Sequence, residues 1–176
     1  MKKAFLCLLL VPVTFEVSIY SFSVDAANGA TINLSQYQGK RILIVNTATN
    51  NEQASQFSEL QQLYQQNIGN LVVIAFPSND FGNESRSNQE MQSYLQTTYN
   101  VTFPVAAKLH VTDTIEQRHP FYYWLTKKTE NGVMNSKIKN DFQKYLINKQ
   151  GKIVGIFDSS VSPLSSEIQT ALQIHN

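Results

Sequence analysis

Arg41-Ile42-Leu43-Ile44-Val45-Asn46-Thr47 carries four consecutive aliphatic side chains, a pattern expected of a strand covered on both faces. Leu71-Val72-Val73-Ile74-Ala75-Phe76 repeats it 30 residues later. Between the two runs, Phe57, Leu60, Leu63 and Tyr64 recur at helical spacing, which predicts an amphipathic helix over Glu52–Gln66. Strand, helix, strand with short joints is a right-handed crossover unit and implies parallel pairing.

The rest of the chain extends this unit. Upstream, Ile19–Val24 alternates apolar and polar residues and is followed by Ala27-Asn28-Gly29 and Thr31-Ile32, the signature of an N-terminal hairpin. Downstream, Ser87 and Glu90 form a capping box that opens a helix carrying Met91, Tyr94 and Leu95. Phe103–Ala107 leads into a third strand. His119-Pro120 opens a short aromatic helix through Leu125, with Pro at its first turn. Tyr145-Leu146-Ile147 and Ile153-Val154-Gly155-Ile156 flank a turn at residues 148–151, and Ser162-Pro163 starts a final helix. No repeat, low-complexity tract or linker divides residues 18–176, so the order predicts one three-layer α/β domain.

Composition excludes several functions. The chain has 176 residues, net charge +1 and one cysteine, Cys7. A single cysteine rules out a disulfide framework, a Cys-rich zinc site and a two-cysteine redox motif. Near-zero charge without a basic run argues against nucleic-acid binding. A hydrophobic fraction of 42%, with 10 Phe and 8 Tyr, supplies a core, so disorder is excluded. Asn and Gln number 16 each, so amides carry most of the polarity. Met1-Lys2-Lys3 and the apolar run Ala4–Phe15 have the shape of an export signal, too short to span a bilayer. Residues 1–16 are therefore read as a signal peptide and the protein as periplasmic or secreted, although no Ala-x-Ala follows the run; if the segment is not a signal, the expectation is a cytoplasmic protein. No transmembrane segment is expected.

Motifs of chemistry are sparse. Gly occurs seven times and never as GxGxxG or a Walker loop. His110, His119 and His175 show no ligand spacing. His119 is read as a helix cap and the other two as exposed.

Several strings, in order, resemble glutathione peroxidases: Ser18-Ile19-Tyr20-Ser21-Phe22, Ile44-Val45-Asn46-Thr47-Ala48, Phe76-Pro77-Ser78-Asn79-Asp80-Phe81-Gly82, Asn100-Val101-Thr102-Phe103-Pro104, His119-Pro120, Phe142-Gln143-Lys144-Tyr145-Leu146-Ile147 and Ser162-Pro163. The resemblance covers nearly all of residues 18–173. It implies a thioredoxin-like fold, with a central mixed sheet, and reduction of hydroperoxides by glutathione or thioredoxin. It also implies a catalytic tetrad whose peroxidatic Cys or selenocysteine follows the first buried strand, in a pattern like N-V-A-S-x-C-G. The matching stretch is Asn46-Thr47-Ala48-Thr49-Asn50-Asn51-Glu52, which puts Asn51 at the peroxidatic position. The family's Gln, Trp and Asn correspond to Asp80, Asn140 and Asp141. Those three supply N–H donors to an anion, whereas carboxylates only accept and repel one. The resolving cysteine expected near the helix Met91–Thr98 is absent.

The expectation is therefore a glutathione-peroxidase-like domain that has lost hydroperoxide reduction. It would act as a binding or structural module for a small-molecule or protein ligand, without a cofactor; an oligomer is compatible with the family. Two alternatives accompany it. One is a Ca²⁺ or Mg²⁺ site built from Glu52, Asp80 and Asp141. The other is residual peroxidase-family activity in an oxidative-stress response.

Overall fold

A computed structural model describes residues 17–114 and 116–174. The proposed signal segment, Cys7 and His175 lie outside the described residues. Ser18 accepts a hydrogen bond from the Tyr20 amide, and Ile19–Ser21 coils into one 3₁₀ turn. The first strand, β1 (Ser23–Asp25), therefore begins later than the alternation at Ile19 suggests. A serine hydroxyl that satisfies a nearby N–H competes with a sheet ladder. β1 pairs antiparallel with β2 (Thr31–Asn33). The turn between them is held by Asn28, whose Oδ1 accepts from the Ala30 amide, and by Gly29 at φ +84°.

β3 (Arg41–Thr47) leads through a tight turn to α1 (Gln56–Gln66). The helix begins four residues later than predicted because Asn51 folds the intervening chain. Its Oδ1 accepts from the Gln53 amide and its carbonyl from the Ala54 amide. β4 (Leu71–Pro77) then pairs parallel with β3 along its whole length, Arg41 opposite Leu71 and Thr47 opposite Pro77. α2 (Asn88–Tyr99) opens on the predicted capping box, with Ser87 and Glu90 bonding reciprocally. The third strand expected at Phe103–Ala107 is reduced to two single bridges, Ala75 with Val105 and Ala26 with Ala106. Pro104 has no N–H to give a ladder, and only its carbonyl is used, by Ala75.

α3 (Pro120–Thr126) is capped by His119, whose ring accepts from the Phe121 amide, and α4 (Lys128–Asn131) follows at once. β5 (Lys144–Ile147) and β6 (Ile153–Phe157) are antiparallel, and β5 is also antiparallel to β3. α5 (Ser166–Ile174) starts four residues beyond Ser162, since Ser162 first closes a turn on Leu164 and Ser165.

The result is a mixed sheet in the order β4-β3-β5-β6 with a separate hairpin. Alternation along β3 sends Leu43 and Val45 into one apolar layer, with Phe57 and Leu60 of α1, Met91 of α2 and Ile168 of α5. Ile42 and Ile44 face the other layer, with Phe121, Tyr122 and Trp124 of α3. Phe57 meets Phe142 edge to face at 5.2 Å, so the core reaches the turn before β5. The fold is the thioredoxin-like three-layer arrangement.

Candidate functional site

The carboxyl ends of the parallel strands β3 and β4 open at one edge of the sheet, where α/β folds place their sites. Three segments meet there: residues 49–52 after β3, residues 79–86 after β4, and the turn 140–142 before β5. That turn is fastened to β3 by two bonds of 2.6 Å. The Asn46 Nδ2 donates to the Asn140 carbonyl, and the Phe142 amide donates to the Asn46 carbonyl. Phe142 adopts φ +63°, an uncommon conformation for a bulky residue. Its ring is fully buried against Phe57, and this anchoring holds the turn in place.

Asp141 is the centre of the site. It is 1% exposed, and its Oδ2 accepts from Asn51 Nδ2 at 3.1 Å and from Asn83 Nδ2 at 2.8 Å. Its Oδ1 is buried without a hydrogen-bond partner among the described residues. Burial pushes the Asp141 carboxyl above its ordinary pKa; the two amides oppose this, and the charges of Glu84 and Asp80 add to it.

Around it lies a second polar layer. Glu84 is completely buried. It accepts from the Thr49 amide at 2.7 Å, the Thr49 hydroxyl at 2.8 Å and the Arg86 amide at 3.2 Å. The Arg86 guanidinium donates to Thr49 Oγ1 and Asn50 Oδ1, both at 2.6 Å, and lies 4.1 Å from the centre of the Tyr94 ring. The loop after β4 is thus clasped to the turn after β3.

The residues singled out in the sequence divide accordingly. Asn51 and Asp141 are brought together, but Asp80 turns elsewhere. Its carboxylate, 1% exposed, accepts from the Val111 and Thr112 amides at 2.7 and 2.9 Å and sits 2.7 Å from His110 Nδ1. Burial raises the Asp80 pKa, but His110 and the two amides outweigh it and hold the carboxyl below its usual range. Asn140 contributes its carbonyl while its side chain is exposed, and Glu52 is exposed. Among the described residues no three His, Cys, Asp or Glu side chains are grouped to hold a metal ion. Asp80 is already committed to His110, Val111 and Thr112, so the cation site expected from Glu52, Asp80 and Asp141 is not assembled. His119 caps its helix as expected. His110 is exposed as expected, and it is also the partner of Asp80.

The sequence reading missed Asn83, Glu84, Thr49 and Arg86. By the family resemblance the loop after Gly82, residues 83–88, reads as an altered pocket rim, but nothing in the string Asn83-Glu84-Ser85-Arg86-Ser87 marks which of its side chains turn inward. It also missed Lys144, completely buried in β5. The Lys144 Nζ donates to the Phe142 carbonyl at 2.8 Å and reaches the Ser159 carbonyl at 3.4 Å. Burial pulls its pKa down to about 8, against a partial counter-effect of Glu59.

Comparisons with known proteins agree with this architecture. The glutathione peroxidase family model matches residues 19–126. A glutathione peroxidase homologue of Staphylococcus epidermidis is 36% identical over 159 residues, covering 88% of this chain and 99% of the relative. A glutathione peroxidase of Lactococcus lactis is 33% identical, covering 86% and 96%. The crystal structure of T. cruzi GPX1 superposes with a TM-score of 0.68 at 29% identity, covering 90% of this chain and 96% of that one. A thioredoxin-family thiol:disulfide interchange protein of Chlorobium tepidum shares the fold alone, with a TM-score of 0.64 at 13% identity. With a family model over more than half its length and relatives matched nearly end to end, the chain belongs to the glutathione peroxidase family.

Proposed function

We propose that this member of the family does not reduce hydroperoxides and instead serves as a binding module on the same fold. The observation that carries the reading is the hydrogen bond from Asn51 to Asp141. Peroxide reduction requires a nucleophile that attacks one peroxide oxygen, expels the other as alkoxide or hydroxide, and is later returned to its starting state. A thiolate does this through a sulfenic acid. A carboxamide does not: its nitrogen lone pair is delocalised, and it has no reversible oxidised form.

The polarity of the pair supports the same conclusion. The resemblance implies an anion at position 51 held by a donor at position 141. Here the donor is at 51 and the anion at 141, with Asn83 supplying a second donor. The partial satisfaction once given to a nucleophile is given to a carboxylate. The only cysteine of the chain, Cys7, lies in the segment read as an export signal, so a processed protein would hold no thiol. The same reading places the protein outside the cytoplasm, and mass spectrometry of the mature N-terminus from cells tests that part.

The activity is tested with hydrogen peroxide and an organic hydroperoxide, with glutathione and with thioredoxin each coupled to NADPH oxidation. The expected result is no turnover above a heat-inactivated control. Saturable turnover with either reductant would overturn the reading.

A further inference from the structure

A groove unrelated to the Asn51–Asp141 centre runs between the turn of the N-terminal hairpin and α2. One part, about 360 Å³, lies between Asn28, Gln92, Gln96 and the segment 101–105, with Tyr64 also in its lining. A second, about 440 Å³, is bounded by Asn28, Gln89, Gln92 and Ser93. The two parts adjoin at Asn28 and Gln92, which line both. No Asp, Glu, Lys, Arg or His lines either part.

The chemistry of its walls is specific. Gln89, Gln92, Ser93 and Gln96 follow the i, i+3, i+4, i+7 spacing of one helix face. From Gln89 to Gln96 the helix rises roughly 10 Å, the length of about two pyranose rings. Each carboxamide offers two donors and an acceptor. The side chains of Gln92 and Gln96 make no hydrogen bond to another described residue. Across the groove, Asn28 Oδ1 is occupied by the Ala30 amide, which fixes the side chain and leaves its Nδ2 as a donor.

The lining is rigid. Gln61 grips Thr102 twice, accepting from its amide and donating to its hydroxyl, both at 2.9 Å. Tyr64 meets Phe103 edge to face at 6.1 Å. An extended peptide adding as a strand is not favoured, because residues 105–106 are already bridged to Ala75 on one side and Ala26 on the other.

The geometry points to a site for a neutral oligosaccharide. Uncharged carboxamides that donate and accept match vicinal hydroxyls, which do the same. A charged ligand would find no counter-charge. This proposal stands apart from the loss of peroxidase activity: it uses none of the same side chains and either reading can fail alone.

The test is a ¹⁵N NMR titration of the whole protein with maltotetraose, cellotetraose, chitotriose and, as a charged control, trigalacturonate. The expected result is that at least one neutral sugar shifts the side-chain amides of Asn28, Gln92 and Gln96. A Gln92→Ala/Gln96→Ala variant, with unchanged melting temperature, should weaken that binding by about ten-fold or more. Chitotriose inactive but another neutral sugar active still supports the proposal. No shift with any neutral sugar at millimolar concentration would overturn it. So would undiminished binding by the double variant, or a response only to trigalacturonate or to a capped neutral tetrapeptide run in parallel.

Discussion

The side chain of Asn51 donates to Asp141 across 3.1 Å of space and 90 residues of sequence, and Asn83 donates to the same carboxylate oxygen. A thiol placed at position 51 would face that carboxylate at close range. In Asn51→Cys, the Asp141 charge is expected to raise the thiol pKa above its ordinary value of about 8.5. Asn51→Cys/Asp141→Asn, which restores an amide donor opposite the sulfur, is expected to lower it. Each unit changes the thiolate fraction near neutral pH about ten-fold. Iodoacetamide alkylation rates against pH, measured on both variants, check the ordering.

Asp141 itself should cost stability at neutral pH. Its folded pKa lies above its unfolded one, so the folded state binds more protons between the two values. The stability that goes with this proton uptake is present below the unfolded pKa and lost as pH rises through the folded one. Asp141→Asn keeps an acceptor for Asn51 and Asn83 without the charge. It is expected to raise the melting temperature at pH 7 by a few degrees, on the order of 1 kcal/mol, and the gain should shrink toward pH 4. Calorimetry of both proteins at the two pH values measures it.

Glu84 joins two loops that would otherwise be separate. Glu84→Ala strands the Thr49 amide and hydroxyl without their acceptor in a buried position. The expected loss is about 2–4 kcal/mol, and Glu84→Gln should lose less because one acceptor remains. Hydrogen exchange should speed up at residues 49–51 and 83–87 together, and denaturant melts give the energies.

Asp80 has the opposite pH signature to Asp141. Its folded pKa is depressed, so its stabilisation is present above the unfolded pKa and lost as pH falls through the folded one. Asp80→Ala is expected to cost about 2–3 kcal/mol at pH 7 and to flatten the acid limb. His110→Ala, which removes a half-exposed ring, should cost less than about 1 kcal/mol. Melting curves between pH 2 and 7 (about the carboxylate range) distinguish the two.

Lys144 should show itself on the alkaline side. With its folded pKa near 8 and its unfolded value at 10.5, the unfolded state binds more protons between them. Stability is therefore expected to rise with pH above 8, with a slope of at most about 1.4 kcal/mol per unit, until tyrosine ionisation reverses it. Lys144→Met should abolish this rise. Urea midpoints at successive pH values test it.

The sheet was legible wherever a strand is covered on both faces. Ile42–Val45 and Leu71–Phe76 announce themselves because two apolar layers demand unbroken hydrophobic runs. The capping box at Ser87 and the His119-Pro120 helix start were readable because their chemistry is local. Element starts at Ser23, Gln56 and Ser166 were not, because serine and asparagine side chains first satisfy nearby amides. In the site, the positions of Asn51 and Asp141 could be inferred from strand order and resemblance. The commitment of Asp80 to His110, 30 residues away, could not. Nor could the burial of Glu84 and Lys144, since charged residues in a polar loop or at a strand end ordinarily read as solvated.

The first described residues are tied to distant parts of the chain. The Trp124 indole donates to the Val17 carbonyl at 2.6 Å, and the Tyr20 hydroxyl donates to the Lys149 carbonyl, 129 residues downstream. The Tyr20 ring also lies so close to Gly151 that a Cβ there would meet it at 2.9 Å. During vectorial synthesis, this segment leaves the ribosome long before either partner exists. The Tyr20 contact cannot form until the β5–β6 turn has been made, so a chain stalled before Lys149 carries its N-terminal segment unanchored at that end.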